Sequence, residues 1–144
     1  MAHWLNLGQN FKVNAKKFAN KVALKERNRS YTYAETNERV NRLSHSLLSL
    51  GLKKGDKVAV LMENSTEIVE LYLATAKTGL VFVPINFRLV GREVEYILNN
   101  ADTKALFVHD QFAATVEGIR EDLVNLPAEN FFVVGKDSPG YKGY

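Results

Sequence analysis

The stretch GLKKGDKVAVLMENSTEIVELYLATAKTGLVFVPIN, residues 51–86, sets the architecture of this chain. Lys57–Met62 is a continuous apolar run, short enough for a strand and without the alternation of a half-solvated sheet. Gly55-Asp56 turns the chain into it. The following helix begins at Asn64 or Ser65, with Glu67 three residues after Asn64 as a second capping group. Its apolar residues (Ile68, Val69, Leu71, Tyr72, Leu73, Ala74, Ala76) occupy most sides, which predicts burial on more than one face. Gly79 closes that helix, and Leu80–Ile85 is a second continuous apolar strand ended by Pro84.

The same alternation extends in both directions. Val94, Ile97, Leu98 and Ala101 mark a helix, Lys104–Val108 a strand, Phe112, Val116, Ile119 and Leu123 a further helix, and Phe131–Val134 a last strand. Upstream, Phe11, Ala15 and Phe18 give a short amphipathic helix within Asn6–Asn20. Lys21–Glu26 and Ser30–Tyr33 form a hairpin joined at Arg27-Asn28-Arg29, where Asn28 is the turn former. Thr32 and Glu35 have capping-box spacing, and Val40, Leu43, Leu47 and Leu50 line a helix that Gly51 closes. Strands alternating with helices of about ten residues or more require crossover connections and a parallel sheet. The predicted fold is α/β: an open, doubly wound, mostly parallel sheet with helices on both faces, preceded by a short β-hairpin. No Gly/Ser linker divides the chain, so residues 1–144 read as a single α/β unit, with 135–144, polar and carrying three glycines, a loosely held tail.

Composition narrows the function classes. Hydrophobic residues make up 46% and charged residues 24%, an ordinary globular balance. There is no cysteine, hence no disulfide and no thiolate metal site. The net charge of +3 is small and its Lys and Arg are dispersed, which argues against nucleic acid. No run approaches the about 20 apolar residues of a membrane span, so a soluble, cytoplasmic protein is expected.

A doubly wound sheet binds ligands beyond the carboxyl ends of its strands. Those loops are Glu63-Asn64-Ser65, Asn86-Phe87-Arg88, His109-Asp110 and Gly135-Lys136-Asp137. None holds a dinucleotide or phosphate-loop glycine pattern, and no nucleophile elbow occurs. The histidines at 3, 45 and 109 lack metal-motif partners; His109-Asp110 reads as a strand end that initiates the next helix. Residues 63–67 could dock an anion at a helix start, but Glu63 and Glu67 oppose one, and capping accounts for Asn64 and Glu67. Arg88 and Arg92 follow a strand end and read either as phosphate contacts or as solvated surface.

The order of these segments adds what composition lacks. Ser30-Tyr-Thr-Tyr-Ala-Glu35, Glu38-Arg-Val-Asn-Arg-Leu43, Gly51–Val60, Asn64-Ser-Thr-Glu67, Thr78–Asn86, and Phe87-Arg-Leu89 with Glu93, Tyr96, Ile97 and Leu98 resemble, in register from about Val22 to Val108, the opening of adenylate-forming acyl-CoA synthetases. The resemblance implies an N-terminal fragment of an acid–thiol ligase of fatty acid metabolism. Such an enzyme uses ATP and magnesium to form an acyl-adenylate, then passes the acyl group to CoA. The family's phosphate loop, ribose-binding Asp and catalytic Lys would lie beyond residue 144. The chain alone is therefore expected to be inactive, with no catalytic residue, no metal ligand and no cofactor of its own. Its partner would be the remainder of the synthetase, and its uncovered apolar surface would favour a homodimer. Carrier-protein-loading adenylation domains, luciferase-like relatives and a stand-alone binding module are the alternatives. The resemblance implies one ligand contact, Arg88 on a phosphate of CoA, in a segment where Phe87 stands in place of the family's proline.

Overall fold

The computed structural model describes residues 6–144; His3 lies outside the described residues. Two compact units make up the chain. One comprises the chain up to Lys54 with Ser65–Leu80, the other Gly55–Asn64 with Val81–Tyr144.

The first unit contains α1 (Leu7–Lys17), the antiparallel pair β1 (Val22–Glu26) and β2 (Arg29–Thr32), α2 (Tyr33–Ser49) and α3 (Thr66–Thr78). Local chemistry starts each helix. Asn6 accepts the Gln9 N–H at 2.8 Å while the Gln9 side chain returns to the Asn6 N–H. Thr32 and Glu35 form the expected reciprocal cap, with Glu35 accepting the Thr32 N–H at 2.8 Å. For α3 the cap is Ser65, whose Oγ accepts from the Ile68 N–H; Asn64 stays outside and exposed. Glu67 is not a capping partner either. It is buried and takes the Arg29 guanidinium at 2.8 Å, because the hairpin brings that charge across α3. The hairpin's positive φ (36°) falls on Arg27, not on Asn28.

Polar contacts join the elements of this unit. The Arg39 guanidinium of α2 pairs with the carboxylate of Glu70 on α3, which is 1% exposed, and lies 4.8 Å from the centre of the Tyr31 ring. Lys77 of α3 donates to Asn37 and Asn41 of α2 at 2.6 and 2.7 Å. Burial lowers the Lys77 pKa, and the charge of Lys12 on α1 lowers it further.

The second unit holds β3 (Lys57–Leu61), β4 (Val81–Ile85), α4 (Gly91–Asn100), β5 (Thr103–His109), α5 (Ala113–Glu117), β6 (Phe131–Val134) and β7 (Lys142–Gly143). The strands form one sheet in the order β4-β3-β5-β6-β7, and every pairing is parallel. Along β3 both parities of residue are buried, Val58 and Val60 as well as Ala59 and Leu61. Ala59, Leu61, Leu106, Val108 and Phe131 join Val94 and Leu98 of α4 and Val116 of α5 in one apolar core. The architecture is the expected α/β arrangement, a parallel sheet flanked by helices with a separate two-stranded hairpin.

Two further local expectations are corrected. Pro84 lies inside β4 and does not end it. Among the described residues β4 pairs only with β3, so a residue without an N–H is tolerated at this edge, and Val81 and Pro84 are exposed. The helix expected across Phe112–Leu123 stops at Glu117, before Gly118, and continues as a tight turn at Arg120–Asp122. Val116, Ile119 and Leu123 are nonetheless all buried, since irregular backbone can present the same side chains to the core. Along the final segment, β7 pairs with β6, the Tyr144 N–H donates to the Val133 carbonyl at 3.0 Å, and the Arg120 guanidinium lies 3.9 Å from the Phe131 ring centre and 5.1 Å from that of Tyr141.

Removing Arg39 breaks an ion pair of the buried Glu70 carboxylate. Arg39→Ala is expected to cost about 3 kcal/mol, read as a lower urea midpoint with an unchanged m-value.

Candidate functional site

The strand order places a topological switch point between β3 and β5, because the chain runs from β3 outward to β4 and then returns past β3 to β5. In such sheets the crevice beyond the carboxyl ends at that point is the usual ligand site. In the second unit the rim comprises Glu63-Asn64 after β3, Asn86-Phe87-Arg88 after β4, His109-Asp110 at the end of β5, and Gly135-Lys136-Asp137 after β6, while Ser65 of the first loop belongs to the first unit.

At the switch point, the Glu63 N–H donates to His109 Nδ1 at 3.2 Å. One strand further, the Asp110 carboxylate accepts the Lys136 N–H at 2.9 Å and the Gln111 N–H at 2.8 Å. The Lys136 bond chiefly holds the Asp110 pKa below its ordinary value, with the Gln111 bond and the charges of Lys136 and His109 adding to it. Gly135 takes φ +108°, and a Cβ there would lie 2.8 Å from the Asp110 carboxyl carbon. Only glycine fits both the backbone angle and the approach.

On the β4 side, Asn86 Oδ1 accepts the Arg88 N–H at 3.0 Å and the Asn86 carbonyl accepts the Leu89 N–H at 3.1 Å. This is an Asx turn, in which the side chain copies a backbone turn. The Phe87 ring stacks on Phe112 at 5.7 Å between centres, and the Arg88 guanidinium lies 5.3 Å from the Phe87 centre. Arg88 itself is exposed.

The structure thus joins Glu63 to His109, Asp110 to Lys136, and Phe87 to Phe112. Arg92 sits apart from the loop on α4, where Arg92, Glu95, Tyr96, Asn99 and Asn100 line a shallow surface depression. His45 is exposed on α2. The start of α3 holds a side chain of the protein itself: Glu26 accepts the Thr66 N–H at 3.1 Å and the Thr66 hydroxyl at 3.0 Å. The Thr66 N–H is the main reason the Glu26 pKa is lowered, with Arg29 and the Thr66 hydroxyl adding to it. A carboxylate at a helix N-terminus is the arrangement that an external anion would otherwise make. Among the described residues, no group of three or more His, Cys, Asp or Glu side chains is placed to hold a metal ion, and no helix is long and apolar enough to cross a membrane.

Sequence reasoning placed Asn86 and Gly135 in the rim loops without their roles in the turn and beside Asp110, and it missed Phe112 there. Asn86 carried a signal, an Asx residue two before Arg88 just after a strand. The Phe87–Phe112 stack carried none, since 25 positions separate two residues that only the sheet brings together.

Two predictions concern this rim. Gly135→Ala is expected to cost about 2 kcal/mol through backbone strain and the Asp110 contact, measured by denaturant unfolding. Asp110 has a depressed folded pKa, so its stabilisation is complete above the ordinary value of 3.8 and is lost as the pH falls through the lower folded value. Asp110→Asn keeps a single acceptor oxygen, and its stability deficit against the wild type should shrink below pH 3.8.

A family model described as AMP-binding enzyme matches residues 11–139. The crotonobetaine/carnitine–CoA ligase of Salmonella typhimurium is 36% identical over 115 residues, which cover 80% of this chain and 22% of that protein. The chain therefore spans about a fifth of the length of the curated relatives it matches. Among solved structures, the anthranilate CoA ligase AuaEII in complex with anthranoyl-AMP superposes with a TM-score of 0.91 at 30% identity, covering 99% of this chain and 27% of that one. The N-terminal domain of FACL13 from Mycobacterium tuberculosis gives 0.80 at 32% identity, covering 98% and 34%.

Proposed function

Because the chain belongs to the AMP-binding enzyme family, we propose that it is the opening part of an ATP-dependent carboxylate–CoA ligase and contributes a CoA phosphate contact through Arg88. In that reaction a carboxylate attacks the α-phosphorus of ATP, releasing pyrophosphate and leaving an acyl-adenylate. The CoA thiol then displaces AMP to give the thioester. Supporting this reading are relatives that are CoA ligases both by sequence and by structure.

The observation that carries the residue assignment is the Asn86–Leu89 turn. It holds an exposed guanidinium just past the carboxyl end of β4, with the Arg88 N–H fixed on Asn86 at 3.0 Å. A guanidinium presents paired N–H donors that match phosphate oxygens, and an exposed site allows a large nucleotide to approach. ATP and magnesium are assigned to the remainder of the synthetase, as the family resemblance implies. This chain alone is inactive in the proposal, and a cytoplasmic location accompanies it. Val81 on the open edge of the sheet, with Val90 and Tyr96 at 64% and 69% exposure, is apolar surface for the rest of the enzyme to cover.

Calorimetric titration of the purified chain tests the assignment. Weak CoA binding that Arg88→Ala reduces at least about ten-fold, with no heat from ATP–magnesium, is the expected result. Micromolar ATP binding (about −8 kcal/mol) would overturn it, because the nucleotide site would then lie within these residues.

A further inference from the structure

We propose that Phe87 is a positioning residue for Arg88: its ring, backed by Phe112, is the platform that orients the guanidinium toward a phosphate group. The proposal rests on the assignment of Arg88 to a phosphate of CoA and goes beyond it by naming the residues that set its geometry.

Three observations meet at this loop. Phe87 and Phe112 stack with centres 5.7 Å apart and planes inclined by 30°. The Arg88 guanidinium lies 5.3 Å from the centre of the Phe87 ring. Phe87, Leu89 and Phe112 are partly buried against the core shared by β3, β5 and α4, so the platform is anchored although Arg88 is exposed.

The chemistry follows from the geometry. An exposed arginine loses substantial side-chain freedom when it binds a phosphate. A guanidinium already held against an aromatic ring has given up part of that freedom before the ligand arrives. Attraction to the ring also leaves N–H groups at the guanidinium edge available, and paired edge donors are what a phosphate accepts. The backbone is fixed separately by the Asn86 turn. Proline, which the family resemblance puts at position 87, would constrain φ but provide no aromatic face. In this chain the turn and the ring divide those two tasks between them.

The test uses the full 144-residue chain and CoA as the probe. Affinities are measured by calorimetry for the wild type, Phe87→Leu, Phe87→Tyr and Arg88→Ala, and the Arg88 Nε–H resonance is followed by NMR without ligand. The expected result is CoA binding about three-fold weaker in Phe87→Leu, the worth of one exposed cation–aromatic contact. The Arg88 resonance should shift in that variant, and Phe87→Tyr should keep the wild-type affinity. Unchanged CoA affinity in Phe87→Leu while Arg88→Ala weakens binding would overturn the platform and leave the Arg88 assignment standing. Unchanged affinity in Arg88→Ala would overturn both. A loss in Phe87→Leu that leaves the Arg88 resonance in place, or that Tyr does not restore, would make the ring a packing element only. If Phe87→Leu does not fold, Phe112→Leu decides by the same two readouts, because it removes the backing ring and leaves Phe87 itself.

Discussion

Parallel pairing of β3 on both of its edges is the constraint from which the second unit follows. Val58, Ala59 and Val60 have no exposed surface, and the strand is bonded to β4 on one side and β5 on the other. Pairing on both edges satisfies its backbone groups, and the crossover elements that cover a parallel sheet require its side chains to be apolar on both faces as well. Parallel neighbours cannot be joined by tight turns, so each connection crosses the sheet and each strand's carboxyl end opens on the same rim. The loops with Arg88, His109, Asp110 and Lys136 share that rim because of this rule.

The first unit depends on charge where the second depends on apolar burial. Glu26 sits over the start of α3, Glu67 takes Arg29, and Glu70 takes Arg39. Each carboxylate has a donor or a cation, which is the condition for burying it. The resulting order of contacts joins hairpin, α2 and α3 through side chains far apart in sequence. It also fills the helix start that a ligand anion would have used.

At the rim, backbone geometry and side-chain chemistry have separate origins. The turn at Asn86 and the glycine at 135 fix where the loops go. The Phe87–Phe112 stack and the Glu63–His109 bond fix what they present. The proposed phosphate contact at Arg88 therefore has supports of two kinds, one from the local turn and one from the core. The match to the curated relatives covers 80% of this chain and 22% of their length.

Much of the fold was legible in the sequence, because strands buried on both faces are continuous apolar runs and helix starts carry their own caps. Residues 57–62, 104–108 and 131–134, and the Thr32–Glu35 cap, have signals that are local and physically complete. The order of the motifs also determined the family, since spacing along a chain survives without any knowledge of contacts. Tertiary structure alone decided the rest. Pro84 is admissible only because β4 is an edge strand, α5 ends early because the core needs Ile119 and Leu123 but not a helix to deliver them, and Glu67 leaves the capping role because Arg29 reaches it. Phe112 meets Phe87 for the same reason. Such pairings are set by sheet order and packing, which act between distant residues, whereas propensity and capping act between neighbours.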